Sequence, residues 1–591
     1  MIYRSRMNYR LGSVFSFFLI TFTFIGKSVF AQGAWVPLTN QTPIVNGGVM
    51  VMMQLSDGTV MAKTDSCRSD TFATSTWAKL TPDANGSYVN GTWTTITPSH
   101  DSRVYFASQV LKDGRVFVAG GEIENEAPGG NGTGGSAGET YDPLTDTWTM
   151  APAQGSYFGD ANSEILPDGK VLLAVLSGNG HGTKIFDPVT NSWANGPSGL
   201  HNHDESAWVK LADNSILYVD LGSTTSERYI PALNQWVNDA MVPDSLYDQY
   251  WDESGAAILL PDGRAFFLGA TGHTAIYTPS GNNSPGSWVA GPDIPNGYGT
   301  VDAPAAMMMN GKILCCASPK DTSFSITGAF LAPTEFFEYD YLSNSFTQIT
   351  APTGGDSLNI PCYMANMVDL PDGSVLFSMQ NSSQCYVYVP GGSPLASGKP
   401  TINNVVTQNC DTMMITGTLF NGISEGAGYG DDWQMASNYP IVRFTSGTNV
   451  YYARSFNWNS TGLQRGNAPD TTFFSLPAGL PLGSYSLAVI ANGISSDTVT
   501  YVNAPCAVGM SSVALQSELM IFPNPTSGIL NVANVSGRTT IKLYNGLGEL
   551  VLAKETVNDL AIDVNELPSG IYTMMVNDGK GTRFNKVVIT K

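Results

Sequence analysis

The sequence predicts an all-β protein: a seven-bladed β-propeller followed by two β-sandwich domains. Three observations carry that expectation. Charged residues are only 13 % of the chain while glycine alone accounts for 62 of 591 positions, a balance that suits short strands and many turns better than helices. A turn pair, Asp-Gly or a close variant, recurs after an apolar residue and before an alternating or apolar strand. Most of these units then continue into a strand with an aromatic residue, a turn, and a tryptophan.

The turn pairs are Asp57-Gly58, Asp113-Gly114, Asp168-Gly169, Asp213-Asn214, Asp262-Gly263, Asn310-Gly311 and Asp372-Gly373. Such pairs fit two-residue hairpin turns in which both central residues have positive φ, so each is expected to join two neighbouring strands. The aromatic-turn-tryptophan element ends at Trp148, Trp193, Trp236 and Trp288, and the sixth unit has Phe346 in that place. The spacing of the units allows four short strands each, which is the size of a propeller blade. The seventh unit lacks its tryptophan strand, and Ala34-Trp35-Val36-Pro37 supplies that pattern at the other end of the ring. Sealing the ring with an N-terminal strand hides an edge that would otherwise stay open.

Residues 1–31 have their own character: Arg4, Arg6 and Arg10, an apolar stretch over 11–25, and small residues before Gln32. This is the pattern of a cleaved signal peptide, and no later stretch approaches the roughly 20 apolar residues of a membrane span. The net charge of −21 argues against nucleic acid and anionic membrane as partners. The propeller is assigned to residues 32–395. A new alternating region over 396–504, with turns rich in glycine and proline, is expected to be a β-sandwich. A linker at 505–517 leads to a last domain at 518–591. Of the seven cysteines, Cys410 with Cys506 would bracket the first sandwich, and Cys362 with Cys385 would lie within one repeat.

These repeats resemble kelch repeats. A propeller followed by a sandwich is similar to galactose oxidase and glyoxal oxidase, which implies an immunoglobulin-like fold for residues 396–504. In the last domain Pro523-Asn524-Pro525, Gly528, the segments KLYNGLGELV and LPSGIYTMMV and the terminal KVVITK resemble type IX secretion sorting domains of Bacteroidota. That resemblance implies export to the cell surface or medium, with the secretion machinery as a partner.

The oxidase resemblance also implies a copper site held by two histidines and two tyrosines, one of them cross-linked to a cysteine. The corresponding positions here are Val49, Tyr105, Asp160, Glu205, Ser254, Asp302 and Met364, each about eight residues before a turn pair. Tyr105 and Tyr363 match the tyrosines. Val49 stands in the slot of the cysteine, Met364 follows Tyr363 where histidine is expected, and no histidine follows His273. A thioether is a poor replacement for imidazole on Cu(II), so copper-radical chemistry is not expected.

The strand starts instead carry an acidic set: Asp160, Asp204, Glu205, Asp252, Glu253 and Asp302, flanked by Tyr105, His203, Tyr247, Tyr250, Trp251 and Tyr363. Ring symmetry would gather them at one channel mouth. Carboxylates bind sugar hydroxyls, aromatic rings stack on sugar faces, and an oxygen-rich ring suits Ca²⁺. The expectation is therefore a surface protein that binds carbohydrate or another extracellular polymer at the propeller mouth. The alternatives are an oxidase with altered ligands, or a hydrolase or lyase using Asp160 and Glu205 as acid and base. His201-x-His203 on a strand would turn both rings to one face, where Asp204 or Glu205 could complete a metal site. His181 and His273 occupy matching repeat positions, as duplication would produce. No G-x-S-x-G, phosphate-loop or H-E-x-x-H motif is present.

Overall fold

The computed structural model describes residues 33–43, 47–65, 74–122, 135–159, 161–248, 250, 252–320, 330–429, 433–505, 519–535, 537–577 and 582–591. The proposed leader, Cys67, Asp160, Trp251 and Cys506 lie outside them. The chain divides into two compact units, residues 1–504 and 505–591.

Among the described residues the first unit contains six four-stranded antiparallel sheets, and a further four-stranded run, from Pro304–Met307 to Ser345–Ile349, belongs to an eight-stranded sheet. Their first strands, numbered here as blades 1 to 7, are Gly48–Gln54, Ala107–Val110, Ser163–Ile165, Val209–Lys210, Ala257–Leu259, Pro304–Met307 and Ala365–Asp369. Neighbouring blades touch around the ring. Trp77 of blade 1 packs on Phe106 and Trp148 of blade 2 at 5.9 and 5.4 Å between ring centroids. Gln109 of blade 2 donates to Ser163 of blade 3, and Asn162 donates to Ser206 at the start of blade 4. The first strands are almost wholly buried, polar residues such as Gln109, Glu164, Lys210 and Asp369 included.

The tryptophan strands pair as the repeat requires: Tyr141 with Trp148, Phe186 with Trp193, Tyr229 with Trp236, Tyr277 with Trp288, and Tyr339 with Phe346. In blade 7 the partner of Tyr388 is Trp35, because Ala34–Pro37 forms the outermost strand there. The expected seal is therefore present.

The turn geometry differs from the expectation. Only the second residue of each pair has positive φ, for example Gly58 at +79° and Asn214 at +66°. The hydrogen bonds Leu55 N to Thr59 O and Gly58 N to Leu55 O enclose three residues, not two. This is a type I turn followed by a left-handed residue. Asp57 stays right-handed and accepts from the Thr59 amide at 3.0 Å.

These turns meet the sandwich. Ser56 Oγ donates to Ser455 O, Asn457 N to Lys112 O, Thr461 Oγ1 to Leu166 O and Gln464 Nε2 to Leu260 O. Gly373 and Gly493 approach so closely that a Cβ on Gly493 would lie 2.7 Å from the Gly373 backbone. The sandwich covers the turn face of the ring, which leaves the opposite face, where the first strands begin, as the mouth. Its core is built from Met413, Ile415, Phe444, Phe474, Leu487 and Val489. One hairpin, Gly426–Tyr429 with Trp433–Ala436, leaves the sandwich and pairs with Pro304–Met307, extending blade 6 into the channel. Glu425 anchors it: Lys210 Nζ of blade 4 lies 2.9 Å from Glu425 and 2.7 Å from Glu164 of blade 3, Lys210 and Glu164 being fully buried and Glu425 mostly so.

The second unit is a small sandwich of a three-stranded and a four-stranded sheet around Leu530, Ile541, Tyr572, Met574 and Val587. Among the described residues no helix is long and apolar enough to cross a membrane.

The pairing of Cys362 with Cys385 does not occur, since both are free and buried. Cys362 precedes the first strand of blade 7 and Cys385 lies on its third. Two strand spacings of about 4.8 Å exceed the reach of a disulfide. Cys410 is disulfide-bonded.

Candidate functional site: the acidic mouth and the blade 4 flank

The mouth gathers acids from three blades. Glu205 precedes the first strand of blade 4, Glu253 that of blade 5 and Asp302 that of blade 6, and one carboxylate oxygen of each lies within 4.8 Å of the others. Hydrogen bonds lock these segments together: Asp302 N donates to Ser254 O at 2.8 Å, and Ser254 Oγ donates to Glu205 O at 3.2 Å. Asp248 accepts from the amides of Tyr250 and Glu253, fixing the loop before blade 5. Asp204 and Asp252 precede Glu205 and Glu253 directly in the chain. Burial, with the Asp252 charge adding to it, raises the Asp204 carboxyl above its usual range.

The backbone is strained where these side chains emerge. Tyr105, Glu205, Asp252 and Asp302 have φ of 53, 51, 63 and 44°, in the left-handed region that costs a side-chain-bearing residue about 1 kcal/mol or more. In blade 5 the left-handed residue is Asp252, two positions before the aligned Ser254.

Tyr105 belongs to a different grouping. Its hydroxyl donates to Gln380 Oε1 at 3.4 Å, and Gln380 Nε2 donates to the Tyr363 carbonyl at 3.0 Å. The Tyr363 ring packs against Phe330, 4.6 Å between centroids. Val49 is fully buried in the first strand of blade 1. Met364 closes a short 3₁₀ turn. The hydrogen bonds thus give Tyr105 the Gln380 amide oxygen and, through it, the Tyr363 backbone carbonyl, and neutral amide oxygens do not fit Cu(II).

Tyr247 is spent on structure, its hydroxyl donating to Val219 O at 2.6 Å. His203 departs furthest from expectation. It is fully buried among Trp208, Tyr218 and Trp236, with centroids 5.6, 4.7 and 4.7 Å away, and neither ring nitrogen has a hydrogen-bond partner. Burial, helped by the charges of His181 and His201, depresses it to about 3, so it is neutral. The segment at 201–208 is not a strand, so the two-residue alternation assumed for His201 and His203 fails.

His201 keeps a metal-binding neighbourhood with other partners. Its Nε2 is 3.7 Å from Asp220 Oδ2, and ligand atoms of His201, Asp220 and Glu227 lie within 4.8 Å of one another. Glu227 accepts from Leu200 N at 2.9 Å, and burial pushes its carboxyl up to about 7. Asp220 and Glu227 were not among the sequence candidates. The signal for them was the repeat itself: the turn pairs Asp113-Gly114 and Asp213-Asn214 align Gly120 with Asp220, and the aromatic-turn-tryptophan elements ending at Trp148 and Trp236 align Glu139 with Glu227.

Comparison with known proteins then assigns the second unit, whose residues 520–590 match the secretion system C-terminal sorting domain family. The chain carries a type IX export signal. It is thereby a protein sent to the cell surface or the medium. No curated protein matches the chain. Among solved structures it is similar to a fungal alcohol oxidase of the AA5 family in complex with copper, at 15 % identity and a TM-score of 0.45, over 80 % of this chain and 99 % of that one. It is also similar to a streptogramin B lyase, at 12 % identity and a TM-score of 0.40. A virginiamycin B lyase from Staphylococcus aureus with quinupristin gives 12 % and 0.39. Each lyase is covered over 99 % of its length by 61 % of this chain.

Proposed function

We propose that this exported protein is a binding propeller whose acidic mouth takes a glycan or related polyhydroxylated polymer, with Ca²⁺ as the bridging ion. The observation that carries the reading is the convergence of Glu205, Glu253 and Asp302, from three blades, to within 4.8 Å. Like charges so close repel one another unless a cation or a set of donor hydroxyls lies between them. Carboxylate oxygens are the ligands Ca²⁺ prefers, and its open coordination positions accept sugar hydroxyls. The spacing is tighter than the roughly 5–9.5 Å that separates the acid and base carboxylates of glycosidases, so the trio supports binding over hydrolysis. Asp204, Asp252, Tyr105 and Tyr363 are the candidates for the outer part of the site.

The full exported chain should be probed on a glycan panel with and without Ca²⁺. Binding that falls at least tenfold in Glu205→Gln and Asp302→Asn, and on chelation, is the expected result. Undiminished binding in both variants would remove the mouth from consideration. Release of products from a polysaccharide, lost in Glu205→Gln, would replace binding by hydrolysis.

A further inference from the structure

We propose that the flank of blade 4 holds a second, separate cation site, formed by His201, Asp220 and Glu227 and suited to a divalent transition metal such as zinc. The case comes from comparing two blades of the same ring. Strand register aligns blades 2 and 4 residue for residue: Val116 pairs with Tyr141 as Ile216 pairs with Tyr229, and Val118 with Glu139 as Tyr218 with Glu227. Val110 pairs with Val116 as Lys210 pairs with Ile216, so Arg103 corresponds to His203 and Gly120 to Asp220.

In blade 2 this position is electrically closed. The Arg103 guanidinium, fully buried, lies 2.8 Å from Glu139 Oε1, and its other end donates to Gly120 O at 2.7 Å. One buried carboxylate meets one buried cation. In blade 4 the acid is kept as Glu227, the glycine has become a second acid, Asp220, and the arginine has become His203. Asp220 and Glu227 are 1 % and 0 % exposed. His203 does not pair with either acid, because neither ring nitrogen has a hydrogen-bond partner and its ring packs as a core aromatic. Two buried carboxylates thus occupy a place that the fold elsewhere neutralises with a guanidinium.

Two further details point to a metal. Asp220 Oδ1 is buried with no hydrogen-bond partner, although the Thr225 hydroxyl donates to Oδ2. His201 is 42 % exposed, so the third ligand faces solvent and gives an ion a way in. Its Nε2 and Asp220 Oδ2, 3.7 Å apart, can share one ion at bonds of about 2.0–2.2 Å. One imidazole and two carboxylates are a borderline donor set, which zinc-like ions prefer and the all-oxygen mouth does not offer.

The test uses the full chain stripped with chelator and titrated calorimetrically with Zn²⁺. A Glu205→Gln background excludes the mouth. One zinc per chain should bind, with affinity reduced at least tenfold in His201→Ala, an exposed position whose loss leaves the core intact. His203→Arg, which restores the arrangement of blade 2, should abolish zinc uptake while raising the melting temperature of the metal-free protein. Equal zinc binding by wild type and His201→Ala would overturn the proposal. So would the absence of zinc binding by the wild-type chain at neutral pH. Absence of glycan binding by the wild-type chain, with zinc uptake intact, would refute the proposed function alone.

Discussion

Replacing Trp35 with alanine should loosen the seal of the ring and cost the first unit about 3 kcal/mol. Trp35 sits on the N-terminal strand with its ring against Tyr388, Phe377 and Phe336, at 4.8, 5.3 and 5.6 Å between centroids, and its Nε1 donates to Thr350 O at 2.7 Å. Aromatic pairs contribute about 0.5–1.5 kcal/mol each and a hydrogen bond about 1 kcal/mol net. Truncation of a fully buried tryptophan costs about 3–5 kcal/mol, and because Trp35 is only half-buried the lower end applies. Urea unfolding should therefore show a lower midpoint in Trp35→Ala, with most of the loss recovered in Trp35→Phe, which keeps the ring contacts and forfeits only the hydrogen bond. Deleting the strand should go further and produce concentration-dependent aggregation, since the edge of Ser382–Val389 would be open. A Trp35→Ala midpoint indistinguishable from wild type would refute the view that this strand holds the ring closed.

Lys210→Met should cost about 3–5 kcal/mol, because Glu164 and Glu425 would remain buried without their cation, and adding Glu164→Gln and Glu425→Gln should restore part of it; urea midpoints test both. Asp369 is buried against Ser437 and pushed up to about 8 by loss of solvent. Its native pKa is above the unfolded value of about 3.9, so the folded state binds the extra proton. Stability should then fall as pH rises between about 4 and 8, by up to about 1.4 kcal/mol per unit, and Asp369→Asn should flatten that slope in pH-dependent unfolding. Glu205→Gly should be neutral or stabilising by about 1 kcal/mol, since it relieves a left-handed φ of 51°, while removing glycan binding; calorimetry and the glycan panel together check this.

The ring was legible because its signal is chemical and repeated. A left-handed residue at each first turn and a tryptophan facing an aromatic leave the same trace in unit after unit, and the missing trace in the seventh pointed to Trp35. Even so, the turn was read one residue too short, because Asp-Gly serves both hairpin types and only the hydrogen bonds distinguish them. The acidic mouth followed from the same symmetry, which places Glu205, Glu253 and Asp302 at one end of the channel without specifying how near they approach. His203 could not be read correctly. Its fate depends on Trp208, Tyr218 and Trp236, and on a segment that is not a strand. Nor could the hairpin Gly426–Tyr429 with Trp433–Ala436, whose partner strand lies far back in the chain and is marked by nothing in the hairpin's own sequence.

That hairpin and the Trp35 strand together impose an order on assembly. The bond from Trp35 to Thr350 spans 315 positions, and closing a loop of that length costs about 5 kcal/mol in chain entropy before any contact rewards it. The inner edge of blade 6 waits on the sandwich segment, so the channel is filled only after most of the chain is available. The ring is therefore a late product of folding, governed by its most distant pairings and slow to form.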